Sequence, residues 1–188
     1  MRAFLGLDPP DHLRSALVVQ QFLLPLQQSL APETFHLTLV FLGDLTPGTA
    51  PALDEALSAL RMPAFDLSLA GLGLFGGEKP RAVWAGVAPS DTLIRLQAKA
   101  EQAARRAGID VPARRFVPHV TLGRFARLDP ETQMRLERAV AAGTGFTAGP
   151  WPVREMVLWE SLPSPKGPRY RELARYPLEQ ATDRGAVS

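Results

Sequence analysis

Two short segments of this 188-residue chain carry the side chains best able to do chemistry. Phe35-His36-Leu37-Thr38-Leu39 and Pro118-His119-Val120-Thr121-Leu122 each set an imidazole and a hydroxyl two residues apart. In an extended strand alternate side chains share a face, so His36 and Thr38 point one way while Leu37 and Leu39 point the other. His119 and Thr121 stand in the same relation to Val120 and Leu122. Each segment can therefore pin an apolar face to a core and offer one imidazole and one hydroxyl outward. Histidine gives or takes a proton near neutral pH, and hydroxyls hydrogen-bond the non-bridging oxygens of a phosphoryl group. With two such pairs facing each other, and no base-activated serine in sight, in-line attack by water on a phosphodiester is the reaction this residue set suits. A lone His-x-Thr in a strand is more often mere packing. Two at equivalent positions, in a chain with only three histidines, are different: packing preserves leucines but has no reason to keep His and Thr outward in both. The third histidine, His12, is read as a helix-surface residue.

The two segments are equivalent because the chain contains an internal duplication. His36 to Thr49 lies over His119 to Thr132 at an offset of 83, with six identities in fourteen positions. Upstream, Gly6, Pro9, Asp11 and Leu13 match Gly86, Pro89, Asp91 and Leu93 at an offset of 80. Local patterns agree between the copies. Ala3 to Leu7 and Val83 to Val87 read as short buried strands stopped by proline. Helices follow from Asp11 and over Asp91 to Ala107, the latter with Leu93, Leu96, Ala100 and Ala103 in helical spacing and Gly108 as its stop. After each His-x-Thr strand comes a second helix. In the first copy Leu53, Ala56, Leu57 and Leu60 share its face; in the second Asp129 caps it and Pro130 fits the first turn. Further strands are expected at Phe65 to Phe75 and Val153 to Glu160. The fold class is therefore α+β: two pseudo-symmetric lobes, each an antiparallel-rich sheet with helices on its outer side, and an active cleft between them. The whole chain reads as one bilobal domain, with copies at about 1–80 and 81–178 and a polar, flexible tail at 179–188.

Around the paired motifs stand further candidates. Arg124 follows His119 by five residues, and strict alternation turns it away from the cleft, but a bulge or bend at Gly123 can redirect it. It is then either a phosphate ligand or a surface or lobe-interface arginine. Its counterpart in the first copy is Phe41. Phe4, Phe75, Trp84, Trp159 and Tyr170 include possible base-stacking partners beside their role in packing. Lys79, Arg81 and Lys166 lie in Gly/Pro-rich loops that can border the cleft.

Composition narrows the function further. The chain has no cysteine, which removes disulfides, thiolate nucleophiles and Cys-based metal sites, and three histidines are too few for a His-rich one, so no metal or cofactor is expected. The net charge of +2 sets up no strong overall field for nucleic acid or membrane. The N-terminus is no signal peptide, and the longest apolar stretch, Ala16 to Leu26, is interrupted by Gln20, Gln21 and Pro25, so a soluble, cytoplasmic chain without a membrane span is expected. No obligate protein partner is evident, and a monomer is the default. Gly71-Leu-Gly-Leu-Phe-Gly76 fits G-x-G-x-x-G, yet Gly77-Glu78-Lys79-Pro80 cannot open the helix a dinucleotide site requires.

Paired His-x-Thr-Leu motifs on a duplicated frame resemble the 2H phosphoesterase superfamily. Within it the chain is most similar to the RNA 2',3'-cyclic phosphodiesterases, the LigT-like or 2'-5' RNA ligase branch. The resemblance rests on Arg2-Ala-Phe4, Phe35 to Gly43, Val83-Trp-Ala-Gly86, Pro118 to Arg124, and Leu158-Trp-Glu-Ser161 through Tyr170. It implies an enzyme that opens terminal RNA 2',3'-cyclic phosphates to 2'-phosphates without a metal or other cofactor, with reverse 2'-5' ligation when a 5'-hydroxyl replaces water. Its partners would be RNA ends or nucleotides bearing a 2',3'-cyclic phosphate. By position His36 would be the proton donor and His119 the proton acceptor, with Thr38, Thr121 and Arg124 on the phosphate and Phe41 and Tyr170 against the substrate. Two alternatives stay open: a superfamily member acting on cyclic nucleotide-sugars or 2',5'-linked oligonucleotides, and a non-catalytic nucleotide-binding module.

Overall fold

The computed structural model describes residues 1–165 and 167–180. The chain runs β1 (Arg2–Leu7), α1 (Asp11–Leu23), β2 (Leu37–Asp44), α2 (Thr49–Ser58), β3 (Phe65–Phe75), β4 (Ala82–Val87), α3 (Asp91–Arg106), β5 (His119–Arg124), α4 (Pro130–Ala142), β6 (Thr147–Val153), β7 (Glu155–Leu162) and β8 (Arg169–Pro177). The starts of α3 and α4 follow from their caps. Ser90 accepts from the Leu93 amide at 3.2 Å, and Asp129 accepts from the Thr132 amide at 2.9 Å with Pro130 in the first turn.

All eight strands join one antiparallel sheet in the order β6-β3-β4-β5-β2-β1-β7-β8. Its two four-stranded halves meet at β2 and β5 through the pair Leu37 and Val120. Neither half is a contiguous copy of the repeat. β3, from the first copy, pairs with β4 of the second, and β7, from the second, pairs with β1 of the first. The expected single strand from Val153 to Glu160 is two, broken at Arg154. β6 and β7 belong to different halves and sit six places apart in the sheet, about 29 Å in a flat one at the usual ~4.8 Å spacing. One intervening residue cannot span that distance, so the sheet must roll until its two halves approach each other at this end.

The helices pack on one face. α3 lies on β2 and α2, α1 on β5 and β6, and α4 on β3. Leu37, Leu39, Val120 and Leu122 are fully or nearly fully buried there, in one core with Leu17 of α1, Leu57 of α2, Leu96 of α3 and Leu136 of α4. Burying each such side chain contributes roughly 1.5–3 kcal/mol, and strand alternation then commits His36, Thr38, His119 and Thr121 to the opposite face. Beyond β8, Glu179 is tied back by backbone hydrogen bonds with Met62 and Ala64. Gln180 is held as well, accepting from Arg154 at 3.1 Å, and residues 181–188 of the expected tail lie outside the described residues.

Candidate active site

Antiparallel pairing about Leu37 and Val120 sets His36 across from Thr121 and Thr38 across from His119. All four line one cavity of about 150 Å³ together with Phe41, Arg124 and Tyr170. The structure thus brings both histidines, both threonines, Arg124, Phe41 and Tyr170 to one cavity. Four others complete the wall: Arg2, Ala3, Phe4 and Ser161. Arg2 and Ser161 are individually unremarkable in sequence, and only the placement of β1 and β7 beside β2 brings them in.

Arg124 and Phe41 arrive by the same device. In β5 the register slips by one residue between Thr121 and Gly123, making Leu122 the extra residue of a bulge. In β2 it slips likewise between Thr38 and Val40, at Leu39, the counterpart of Leu122. A bulge places two consecutive side chains on one face and inverts the alternation beyond it. Leu122 and Gly123 are accordingly both buried, as are Leu39 and Val40, while Arg124 and Phe41 emerge on the cavity side. The fit at 123 is close, since a Cβ there would meet the end of the Leu26 side chain at 3.0 Å and push it back by a few tenths of an ångström.

The β5 bulge is anchored from behind. Gln21 of α1 is the one buried polar side chain of the core among the described residues. Its amide donates to the Leu122 carbonyl at 2.8 Å and to the Leu30 carbonyl at 2.9 Å. The residue therefore ties α1 and the loop after it to the strand segment that aims Arg124.

The two imidazoles are held alike. His36 Nδ1 lies 2.8 Å from the Thr34 carbonyl and His119 Nδ1 lies 2.6 Å from that of Val117. A carbonyl only accepts, so each Nδ1 carries the hydrogen and Nε2 is the free nitrogen of the neutral ring. Aromatic rings enclose both. Phe4, Tyr170 and Trp159 lie with centroids 4.6, 5.0 and 5.8 Å from that of His36, and Phe75 and Trp84 lie 4.8 and 5.9 Å from that of His119. Phe4 and Trp84 are themselves counterparts in the repeat. The Trp84 ring packs flat over Gly73, where a Cβ would come within 2.3 Å of it, which accounts for a glycine of the misleading G-x-G-x-x-G.

This enclosure sets the electrostatics. Burial brings the His36 pKa down to about 4, against the opposing effect of the Thr34 hydrogen bond, with further lowering by the positive charge of His119, Arg124 and Arg14. Burial lowers His119 as well, again opposed by its carbonyl partner and assisted by Arg124. Burial also raises the Tyr170 phenol. Both histidines are thus neutral at pH 7 while the cavity holds no anion. Arg124 has no ion-pair partner among the described residues, so the cavity combines an uncompensated cation, two hydroxyls and two bare imidazole nitrogens.

Other sequence candidates fall elsewhere. His12 is exposed on α1, within hydrogen-bond distance of the Pro150 carbonyl at 2.8 Å. Lys79 and Arg81 sit at the β3–β4 turn and do not line the cavity. Lys166 lies outside the described residues. Among those described, no group of three or more His, Cys, Asp or Glu side chains could hold a metal ion, and no helix is long and apolar enough to cross a membrane.

Comparison with known proteins supplies the family. The model of the 2'-5' RNA ligase superfamily matches residues 9–164, which include both His-x-Thr segments and Arg124. The chain belongs to the 2'-5' RNA ligase superfamily. Among relatives, the RNA 2',3'-cyclic phosphodiesterase of Geobacillus stearothermophilus is 35% identical over 85% of this chain, which spans half the length of that protein. The protein of the same name from Archaeoglobus fulgidus is 31% identical over 92% of this chain and 98% of its own length. In three dimensions the superfamily fold is shared with E. coli LigT complexed with 3'-AMP, at a TM-score of 0.74 and 27% identity, covering 95% of this chain and 98% of that one.

Proposed function

We propose that this protein hydrolyses the terminal 2',3'-cyclic phosphate of RNA to a 2'-phosphate by general acid–base catalysis between its two histidines. The observation that carries the reading is the convergence of both His-x-Thr pairs and Arg124 on one small cavity. The names of the full-length relatives support the substrate class.

In this mechanism Thr38, Thr121 and Arg124 hold the non-bridging oxygens. His119 Nε2 takes a proton from water as the water oxygen attacks phosphorus. The P–O3' bond breaks on the far side, and His36 Nε2–H gives its proton to the departing 3' oxygen. One proton leaves water and one reaches the 3' hydroxyl, so the histidines exchange protonation states in each turnover. With a 5'-hydroxyl in place of water, the same groups in the same roles form the P–O5' bond as P–O3' breaks and make a 2'-5' linkage.

His36 must be protonated for this role, although it is neutral in the empty site. The substrate can supply the difference. A single negative charge about 4 Å away at an effective dielectric of about 20 contributes about 4 kcal/mol, or about three pKa units, bringing a value of about 4 to about 7. The donor is then loaded by the anion it serves.

The test is hydrolysis of a nucleoside 2',3'-cyclic phosphate and of a short RNA with that terminus, in EDTA, with 2'- and 3'-phosphates separated. We expect 2'-phosphate only. His36→Ala and His119→Ala should each lower the rate by about 10²–10⁴, the usual range for a lost acid or base, and Thr38→Ala and Thr121→Ala by less. Turnover unaffected by either histidine, or as damaged by His12→Ala, refutes the assignment.

A further inference from the structure

A larger groove, of about 650 Å³, opens directly from the catalytic cavity and shares Arg2, Thr38, Phe41 and His119 with it. Its outer wall is the segment between α3 and β5, which contributes Arg114, Arg115 and Phe116. Five described arginines are paired with carboxylates: Arg14 with Asp8, Arg61 with Glu179, Arg105 with Glu101, Arg171 with Glu160, and Arg175 with Glu155 and Glu172. Arg2, Arg114 and Arg115 make no hydrogen bond or ion pair with any described residue. Of the two carboxylates in the groove, Glu101 is already taken by Arg105 and Gln97, leaving Asp110 alone against three free guanidinium groups. Phe41 lines both the groove and the cavity and is 59% exposed despite being a large aromatic residue.

Unpaired cations and an exposed aromatic side chain in one groove form the pair of features that single-stranded nucleic acid recognises, one through its phosphates and the other through its bases. An apolar or acidic peptide would use only one of them. We propose that this groove takes the RNA strand leading to the cyclic end, its phosphates against Arg114 and Arg115 and a base on Phe41. The proposal rests on the cyclic-phosphate reading above and adds to it a substrate preference: an oligonucleotide over a mononucleotide. The overall charge of +2 hides this, because it averages the free arginines with paired ones.

The experiment compares kcat/KM for a nucleoside 2',3'-cyclic phosphate and a tetranucleotide with the same end, at 50 and 200 mM salt. At low salt the tetranucleotide should be favoured about tenfold, from about threefold for each of two exposed charge contacts. That advantage should fall about sevenfold by 200 mM salt, given a slope of about 0.7 per phosphate neutralised on a single strand. The double variant Arg114→Gln/Arg115→Gln, at exposed positions where no packing is lost, should abolish the advantage and its salt dependence while leaving mononucleotide hydrolysis unchanged. Equal kcat/KM for the two substrates in the unmodified protein overturns the proposal and leaves the cyclic-phosphate reading standing. So does an advantage that survives in the double variant, since the strand then runs elsewhere. If neither substrate turns over, the cyclic-phosphate reading itself fails and the groove proposal falls with it.

Discussion

Proton uptake on anion binding is the sharpest consequence of the site's electrostatics. His36 sits near pKa 4 in the empty cavity because burial and nearby positive charge penalise its charged form. An oxyanion held by Thr38, Thr121 and Arg124 reverses part of that penalty. Sulfate is a suitable probe, since its own charge is constant from pH 4 to 9 while inorganic phosphate titrates within that range. If one negative charge lifts His36 from about 4 to about 7, linkage makes binding about tenfold tighter at pH 6 than at pH 8 and about 80-fold tighter at pH 5. The second charge of sulfate can only enlarge these factors. Titration calorimetry in two buffers of different ionisation enthalpy would read the protons directly, with about 0.9 taken up per sulfate at pH 6. His36→Gln should flatten both the pH dependence and the proton uptake. Sulfate affinity that is constant from pH 5 to 8 in the unmodified protein would refute the reasoning. A dependence that survives in His36→Gln but vanishes in His119→Gln would reverse the assignment of donor and acceptor.

The same depressed pKa makes stability depend on pH. The unfolded chain binds a proton at His36 near pH 6.5 and the folded one only near 4, so stability is fully present above about 6.5 and falls between there and 4, by at most about 3 kcal/mol. Urea midpoints across that window should show the loss, reduced in His36→Gln. Gln21→Met keeps the volume but leaves the Leu122 and Leu30 carbonyls without their donor, at a cost of about 1–3 kcal/mol. Because Leu122 is the bulge residue that aims Arg124, the same variant should weaken sulfate binding, and combining it with Arg124→Gln should cost less than the sum of the two. Gly73→Ala forces a methyl to within 2.3 Å of the Trp84 ring, and should cost about 1–3 kcal/mol and displace that ring from His119. Thermal unfolding and tryptophan fluorescence check both effects.

Much of the site was legible because its information is local. Two-residue alternation puts His and Thr on the face opposite Leu in both motifs, and no tertiary contact is needed to see it. Helix starts at Ser90 and Asp129 are equally local, since a cap is a hydrogen bond to a residue three positions on. The duplication also speaks for itself, and with it the expectation that the two imidazoles face one another. The broken strand at Arg154 was missed because Pro150 and Pro152 disguise β6, which lies at an edge of the sheet where proline is tolerated. β8 was missed because it alternates weakly and carries charge along most of its length.

What the sequence by itself determined was the chemistry on offer: two imidazoles, two hydroxyls, an α+β frame to carry them, and no thiol. Tertiary structure decided how that chemistry is tuned and aimed. Only pairing across the chain makes Leu39 and Leu122 into bulge residues, and only those bulges turn Phe41 and Arg124 into the cavity. The exchange of β3 and β7 between halves brings Phe75 to His119 and Trp159 to His36, and the resulting exclusion of water brings His36 down to about 4. Burial and field are sums over neighbours distant in the chain, so neither can be read from the spacing of residues along it.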